Sequence, residues 1–146
     1  MRIYLDCCCL QRPFDDQTQP RIKVEAEAVL AILASMQAGD ISLLCSEALD
    51  YEVSRIPDEG RRSEVMAILA LASAYLEITE GVEELAEALE NSGISPMDAV
   101  HLALASIADA DFFCTCDDKL VRKGQAIFDL NCNVVSVLGL VSEVLR

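Results

Sequence analysis

Apolar and polar positions along the chain follow two periods, one typical of short buried strands and the other of amphipathic helices. Apolar runs bounded by polar or turn residues predict strands at residues 2–5, 41–45, 76–79, 112–116 and 134–137. Apolar positions that recur at steps of three and four predict helices at residues 21–37, 46–56, 61–74, 82–90, 95–108, 117–123 and 140–146. Residues 11–16 contain Pro13 and paired aspartates, which predict a loop.

The order of these segments predicts the fold. Strands separated by helices need crossover connections, which make the strands parallel and bury the sheet on both faces. We therefore expect an α/β protein with three layers, α/β/α, around a central parallel sheet. The 146 residues suffice for one domain and are too few for two ordinary ones, and no linker interrupts the pattern. A single domain over residues 1–146 is the prediction.

Composition places the chain among folded proteins, since 53% of its residues are apolar and the mean hydropathy is +0.32. The longest apolar stretches, at residues 65–72 and 134–141, fall short of the roughly 20 residues that a membrane helix needs. Asp6 follows only three apolar residues, whereas a signal peptide needs an apolar run of about 7 to 15. We expect a cytoplasmic protein with no membrane association.

Seven cysteines occur in the chain, among them the run Cys7, Cys8 and Cys9 and the pair Cys114 and Cys116. Cytoplasmic thiols stay reduced, and an odd number cannot pair completely. A zinc site usually shows two closely spaced cysteine pairs, or one such pair with paired histidines, and this chain has one histidine. We therefore interpret the cysteines as small apolar thiols that fill the core.

Charge is distributed unevenly along the chain, whose net charge is -14. Residues 63–118 contain 12 acidic and no basic residues, a net of -12, so the remainder holds 11 basic and 13 acidic residues, a net of -2. Binding to nucleic acid depends on Lys and Arg, which the overall charge disfavours. The basic residues can nevertheless line one face while the acidic segment points away, so charge alone decides nothing about such a partner.

Two aspartates directly follow predicted strands: Asp6 after the first and Asp117 after the strand at 112–116. Ligands of open parallel sheets bind beyond the carboxyl ends of the strands, which is where both side chains would lie. Each aspartate alone is also a common turn or helix-capping residue. Together they indicate a site more strongly than either does separately.

Glu52 lies on the apolar side of its predicted helix, while Glu47 and Asp50 point outward. An inward carboxylate needs compensation, and a metal ion or an ion pair with Arg55 would each supply it. Asp98 is explained by a capping-box-like start at Ser95.

His101 lies on the apolar helix that begins at Ser95. We interpret it as a hydrogen-bonded, partly buried residue rather than as a catalytic base.

Four motifs follow one another along the chain: IYLD at residues 3–6, SEAL at 46–49 leading to Glu52, GISPMDAVHLA at 93–103 and FCTCD at 113–117. In this order and spacing they resemble the PIN domain family, which includes the VapC-type toxins of bacterial toxin-antitoxin pairs. The resemblance extends over residues 2–137. Its last two motifs are the more specific. A phosphatase of the haloacid dehalogenase type would need an aspartate at position 8, where this chain has cysteine.

The resemblance implies that the first strand lies beside the strand at 112–116, so that four acids share one pocket and act in catalysis: Asp6, Glu52, Asp98 and Asp117. In the family such a pocket binds Mg²⁺ or Mn²⁺, here through Asp6, Asp98 and Asp117, and cleaves RNA. Thr115 matches a hydroxyl that the family often places beside the acids. Oxygen ligands suit Mg²⁺. One departure is the run Cys7 to Cys9, where family members commonly have Thr or Ser.

The resulting expectation is a Mg²⁺- or Mn²⁺-dependent endoribonuclease, with a non-catalytic PIN-like module that binds RNA or protein as the alternative. Four basic residues lie within a few positions of an acidic motif and are the expected phosphate contacts, although each is also explained as solvated surface charge: Arg12, Arg55, Lys119 and Arg122. The expected partners are an RNA substrate, an antitoxin protein if the chain is a toxin, and a second copy in a homodimer.

Overall fold

A computed structural model of the chain describes residues 1–145. The strands are β1 (Arg2–Leu5), β2 (Ser42–Ser46), β3 (Ala74–Leu76), β4 (Phe112–Thr115) and β5 (Asn133–Ser136). The helices are α1 (Cys7–Gln11), α2 (Pro20–Gln37), α3 (Glu47–Ser54), α4 (Glu59–Leu69), α5 (Glu80–Asn91), α6 (Pro96–Ile107), α7 (Asp118–Gln125) and α8 (Val137–Val144). A short 3₁₀ helix at Arg12–Phe14 follows α1.

All five strands are parallel and lie in the order β3-β2-β1-β4-β5. The predicted three-layer α/β/α architecture with a central parallel sheet is therefore confirmed. β1 pairs with β4 in the register Leu5 to Cys114, which aligns the carboxyl ends of the two strands. From β1 the chain continues to β2, toward one edge of the sheet, and from β4 it continues to β5, toward the other edge. The topological switch point therefore lies between β1 and β4.

The core is one connected cluster of buried apolar side chains. The two central strands are apolar and almost fully buried, as expected for parallel strands covered on both faces. Helix α6 is also apolar on most of its surface, and α5 packs against it through Val82, Ala86 and Leu89. The cysteine interpretation is confirmed in this respect, since Cys9 and Cys114 are fully buried and all seven thiols are free.

The predicted loop at residues 11–16 is wrong for its first four residues, because Gln11 ends α1 and a 3₁₀ helix occupies Arg12–Phe14, while Asp15 and Asp16 lie outside any helix. Asp6 accepts a hydrogen bond from the backbone N–H of Cys7 and thereby caps α1, which no apolar periodicity indicated. The 3₁₀ helix after it is held by Arg61, whose Nη1 donates to Asp15 at 2.8 Å and whose Nη2 donates to the backbone carbonyl of Phe14. Tertiary contacts therefore order a segment that looks like an exposed turn in the sequence.

The remaining differences are shifts of boundaries. Strand β3 lies at Ala74–Leu76 instead of 76–79, and α4 ends at Leu69 instead of residue 74. β3 is at the edge of the sheet and only partly buried, so its apolar pattern is weak. The last helix ends at Val144 where 146 was predicted, and Arg146 lies outside the described residues.

None of the helices within residues 1–145 is both long enough and apolar enough to cross a membrane.

Candidate functional site

Asp6 lies directly after β1, at the switch point of the sheet. Its backbone N–H donates to the carbonyl of Cys114 on β4 at 2.9 Å, so the residue is held as an extension of the strand pair. Its Oδ1 accepts from Cys7 N at 2.8 Å, and its Oδ2 accepts from Thr115 Oγ1 at 2.9 Å. The carboxylate is therefore fixed by both neighbouring segments. Thr115 therefore lies beside Asp6, as the resemblance implied.

The environment of Asp6 opposes its ionisation. Burial raises the pKa of this carboxyl to about 8, and negative charge at Cys8 and Asp98 acts in the same direction. His101 and the Thr115 hydroxyl act in the opposite direction. A pocket without metal therefore favours the protonated form of Asp6, and a cation would have to displace this proton in order to bind.

Glu52 faces Asp6 from helix α3 and forms a hydrogen-bonded pair with Nε2 of His101. One ligand atom of each residue, Asp6, Glu52 and His101, lies within 4.8 Å of the other two. The pairing of Glu52 with Arg55 is not formed, and the Arg55 guanidinium instead lies 5.7 Å from the centre of the Tyr51 ring. The inward orientation inferred for Glu52 is correct, but its partner comes from α6.

His101 is fully buried and continues into a chain of hydrogen bonds. Its Nδ1 lies 2.5 Å from the Tyr4 hydroxyl, which lies 2.7 Å from Ser46 Oγ. Ser46 Oγ in turn accepts from Leu49 N at 3.1 Å and caps α3. Burial raises the pKa of Tyr4, so the phenol keeps its proton. If Nε2 of His101 donates to Glu52, the Tyr4 hydroxyl donates to Nδ1. Each polar atom in this series of hydrogen bonds then has a partner.

Neither Tyr4 nor Ser46 was expected in the site, and His101 was expected only as a hydrogen-bonded, partly buried residue. The expected hydrogen bonding of His101 is confirmed. Its side chain is fully buried, where partial burial was expected. The three residues come from β1, β2 and α6, more than 40 positions apart in sequence. The only local signal was the presence of a single imidazole on a helix that is apolar almost all round.

Asp98 and Asp117 line a cleft of about 510 Å³. Asp98 lies in the first turn of α6, where its Oδ2 accepts from Ser95 Oγ at 2.8 Å. The side chain of Asp117 caps α7 by accepting from Lys119 N at 2.9 Å and Leu120 N at 3.3 Å. Both are helix-start residues, as local sequence suggested, although the Ser95 hydroxyl donates to Asp98 and does not cap α6. Both line one cleft, but neither belongs to the cluster of ligand atoms that Asp6, Glu52 and His101 form, so the four acids are divided between two adjacent groups.

Two lysines of α7 line the same cleft, one turn apart. Lys119 is exposed, and Lys123 donates from Nζ to the carbonyl of Gly93 at 2.6 Å. Gly93 has φ of +98° in the turn between α5 and α6, a conformation that favours glycine. Lys123 was not among the expected phosphate contacts, although its spacing of four from Lys119 could have identified it.

The other expected phosphate contacts lie elsewhere. Arg12 is half-buried and pairs with Asp15 at 3.1 Å and Glu25 at 3.3 Å. Arg55 is exposed beside Tyr51, and Arg122 is exposed on α7. Of the four residues, only Lys119 lines the cleft that contains Asp98 and Asp117.

The side chains present fit a hard divalent cation. The buried Asp6 and the partly buried Glu52 place carboxylate oxygens within 4.8 Å of one another, and like charges this close are stabilised by a cation or by a proton on one of them. Mg²⁺ and Mn²⁺ prefer such oxygen donors and retain water ligands, which the adjoining cleft can accommodate. Nε2 of His101 is engaged with Glu52, so the imidazole orients an acid rather than adding a nitrogen ligand.

The chain is similar to known proteins both in sequence pattern and in fold. A family model described as the PIN domain matches residues 3–125. Among solved structures, a chain in the crystal structure of VapBC2 from Rickettsia felis bound to a DNA fragment from their promoter superposes with a TM-score of 0.57 at 16% identity. The alignment covers 93% of this chain and 98% of that chain. No curated protein matches the sequence significantly.

Proposed function

Because this chain belongs to the PIN domain family, we propose that it is a metal-dependent endoribonuclease. The observation that carries this proposal is the convergence of Asp6, Glu52 and His101 at the switch point of the sheet, where Asp98 is close enough for its charge to raise the pKa of Asp6. The cleft lined by Asp98 and Asp117 supplies room for a nucleic-acid backbone. Catalysis is assigned to the four acids.

Asp6, Asp98 and Asp117 would hold Mg²⁺ or Mn²⁺. A bound ion would polarise the scissile phosphate and lower the pKa of a water. Attack of this water on phosphorus would break the bond to the 3' oxygen and leave 3'-hydroxyl and 5'-phosphate ends. Thr115 holds Oδ2 of Asp6 in a fixed orientation. Oε1 of Glu52 pairs with Nε2 of His101, which leaves Oε2 to accept a proton from the attacking water.

Lys119 and Lys123 are proposed to contact substrate phosphates. Both lysines line the cleft together with Glu90, Asp98 and Asp117, and they supply the positive charge there on a chain of net charge -14. Glu83, Glu84 and Glu87 of α5 are exposed and do not line the cleft, whereas Glu90 of the same helix does. Phosphate binding in this protein would therefore depend on a few local cations rather than on an extended basic surface.

The solved structure named above, which holds VapBC2 on promoter DNA, supports a proposal about the cellular context of this chain. We extend this to the chain as the proposal that it is a cytoplasmic toxin held by an antitoxin, with a homodimer as its assembly. A partner that places a basic side chain in the acidic pocket would inhibit cleavage by replacing the metal charge.

The alternative is a PIN-like module that binds RNA or protein without cleaving it. Cys8 favours this alternative, because its thiol lies 3.5 Å from Oδ2 of Asp6 where family members commonly carry a hydroxyl. A sulfur atom is a poor neighbour for hydrated Mg²⁺.

Metal dependence separates the two functions. Millimolar Mn²⁺ is expected to raise the melting temperature by about 8 °C if it reaches a hundred times its Kd, because it binds only the folded state. The same concentration should start cleavage of a mixed RNA pool. Stabilisation without cleavage supports the non-catalytic module, and no shift in melting temperature contradicts the metal site. EDTA is the matched control.

The role of the cleft is tested by removing its cations. Lys119→Gln with Lys123→Gln should weaken RNA binding by about tenfold and reduce its dependence on salt, since two fewer counterions are released. The control is neutralisation of the exposed glutamates Glu83, Glu84 and Glu87 on α5, which should leave RNA binding nearly unchanged. Equal effects in a titration of binding against salt would show that the lysines do not contact the substrate.

A further inference from the structure

Three thiols converge beside the acidic pocket, from two segments more than 100 residues apart. Cys8 and Cys9 lie on α1, and Cys116 directly follows β4. The three sulfur atoms all lie within 4.8 Å of one another, and those of Cys9 and Cys116 are 3.6 Å apart. Neither the acidic site nor the hydrophobic core requires a third and partly exposed sulfur at this place.

The sulfurs of Cys9 and Cys116 have the separation found in a metal-thiolate site, and the sulfur of Cys8 lies within 4.8 Å of both. Bonds of about 2.3 Å at tetrahedral angles place sulfur ligands about 3.8 Å apart. The Cys9 and Cys116 sulfurs are close to this distance, so the backbone would not need to move to bring these ligands together. The sequence spacing differs from that of common zinc motifs because the pairing of β1 with β4 brings the two segments together.

The surroundings supply access, charge and a fourth ligand. Cys8 is partly exposed and provides an entrance, whereas Cys9 is fully buried. After three protons leave, three thiolates around a divalent cation carry a net charge of -1, or -2 with an ionised carboxylate as fourth ligand. The positive charge of the Arg12 guanidinium acts on the Cys116 thiol and offsets part of this charge. Oδ2 of Asp6 lies 3.5 Å from the Cys8 sulfur and can complete a tetrahedral set.

We propose that Cys8, Cys9 and Cys116 form a second metal site, selective for a soft divalent cation of the Zn²⁺ class. Its occupation draws Oδ2 of Asp6 into the thiolate site and so removes that carboxylate from the acidic pocket. The consequence for RNA cleavage rests on the proposed function, whereas the binding of the ion does not. A soft metal would act as an inhibitor of the chain, and Mg²⁺ or Mn²⁺ as its activator.

Co²⁺ added to the full chain, reduced with a phosphine, tests the site without any nuclease assay. One equivalent should give the sulfur-to-metal charge-transfer band and the intense visible bands of tetrahedral cobalt thiolate, and one equivalent of Zn²⁺ should remove them. Cys8→Ser and Cys116→Ser should lose the band. Cys132→Ser is the matched control, because Cys132 lies outside the cluster, and it should retain the band.

The proposal is overturned if the unmodified chain gives no charge-transfer band, if Cys8→Ser retains it, or if Cys132→Ser abolishes it. Circular dichroism of each variant excludes unfolding, and Cys8→Ser decides the matter if Cys116→Ser does not fold, since Cys8 is the partly exposed member.

Cleavage provides a separate readout of the regulatory consequence. With Mn²⁺ present, Zn²⁺ should inhibit the unmodified chain and a chelator should restore it, while Cys8→Ser should remain active. Equal inhibition of both proteins contradicts the link to Asp6. A cobalt thiolate spectrum from a chain that never cleaves RNA would leave the thiol site intact and refute the nuclease. Cleavage of RNA by a chain that gives no cobalt thiolate spectrum would support the nuclease and refute the thiol metal site.

Discussion

Replacing Asp6 with asparagine is expected to abolish RNA cleavage and, at the same time, to stabilise the metal-free protein. Loss of cleavage should exceed about a hundredfold, because even partners behind a metal ligand cost about 10- to 100-fold when removed. The gain in stability follows from the burial that raises the pKa of this carboxyl to about 8 from an ordinary value of 3.8. Asparagine occupies the same volume without a charge to desolvate.

The pH dependence has a definite sign. A carboxyl whose pKa is higher in the folded state binds its proton more tightly there, so it contributes most to stability below about pH 4 and loses that contribution as pH rises to about 8. In EDTA, the melting temperature of the unmodified chain should fall across this range by several degrees more than that of Asp6→Asn.

Asp50→Asn is the control for both parts of this prediction. The Asp50 carboxylate is exposed and accepts a hydrogen bond from the Tyr75 hydroxyl, which an amide oxygen can also accept. This variant should retain cleavage and the pH dependence of the unmodified chain. A destabilised Asp6→Asn protein at pH 8 would show that the buried carboxylate is compensated even without metal.

His101→Ala is expected to cost both stability and catalysis. Truncation removes a fully buried ring and leaves the Tyr4 hydroxyl and Glu52 without their shared partner, which should lower the free energy of unfolding by about 2–4 kcal/mol. The rate of cleavage should fall about 10- to 100-fold with little change in RNA binding, because His101 orients Glu52 and does not contact substrate.

Non-additivity distinguishes orientation from general damage. Glu52→Gln should reduce the rate at least as much as His101→Ala while costing less stability, and the double variant should be no slower than Glu52→Gln alone. Glu47→Gln is the matched control, since Glu47 points outward and accepts from the backbone N–H of Ile78 at 2.9 Å. Additive rate losses, or a rate loss in Glu47→Gln, would contradict the proposed pairing.

Several features of the fold were predictable because they depend on local pattern. The alternation of short apolar runs with amphipathic stretches predicted every strand within a few residues and the parallel sheet that they form. Helix starts at Ser46 and Ser95 carried their own signals, a capping hydroxyl and a proline in the first turn. Such signals act over three or four residues, so they are visible in one sequence.

Helix α1 escaped prediction for the opposite reason. Its five residues carry three cysteines and no clear apolar period, and it is held by the Asp6 cap and by packing against neighbouring elements. Arg61 likewise orders the following turn from a helix about 45 positions away. Where distant side chains satisfy the backbone, local propensity is a poor guide.

By itself, the sequence determined the alternation of strands and helices along the chain except for α1, the acids that follow β1 and β4, and the apolar side of α3 on which Glu52 lies. These properties depend on residue type and on spacing within one element. The tertiary structure decided which groups meet: His101 rather than Arg55 beside Glu52, the lysines of α7 in one cleft with Asp98 of α6, and Cys116 against Cys8 and Cys9. Such contacts arise from the pairing of β1 with β4 and the packing of α6 on the sheet, and no spacing within a single element encodes them.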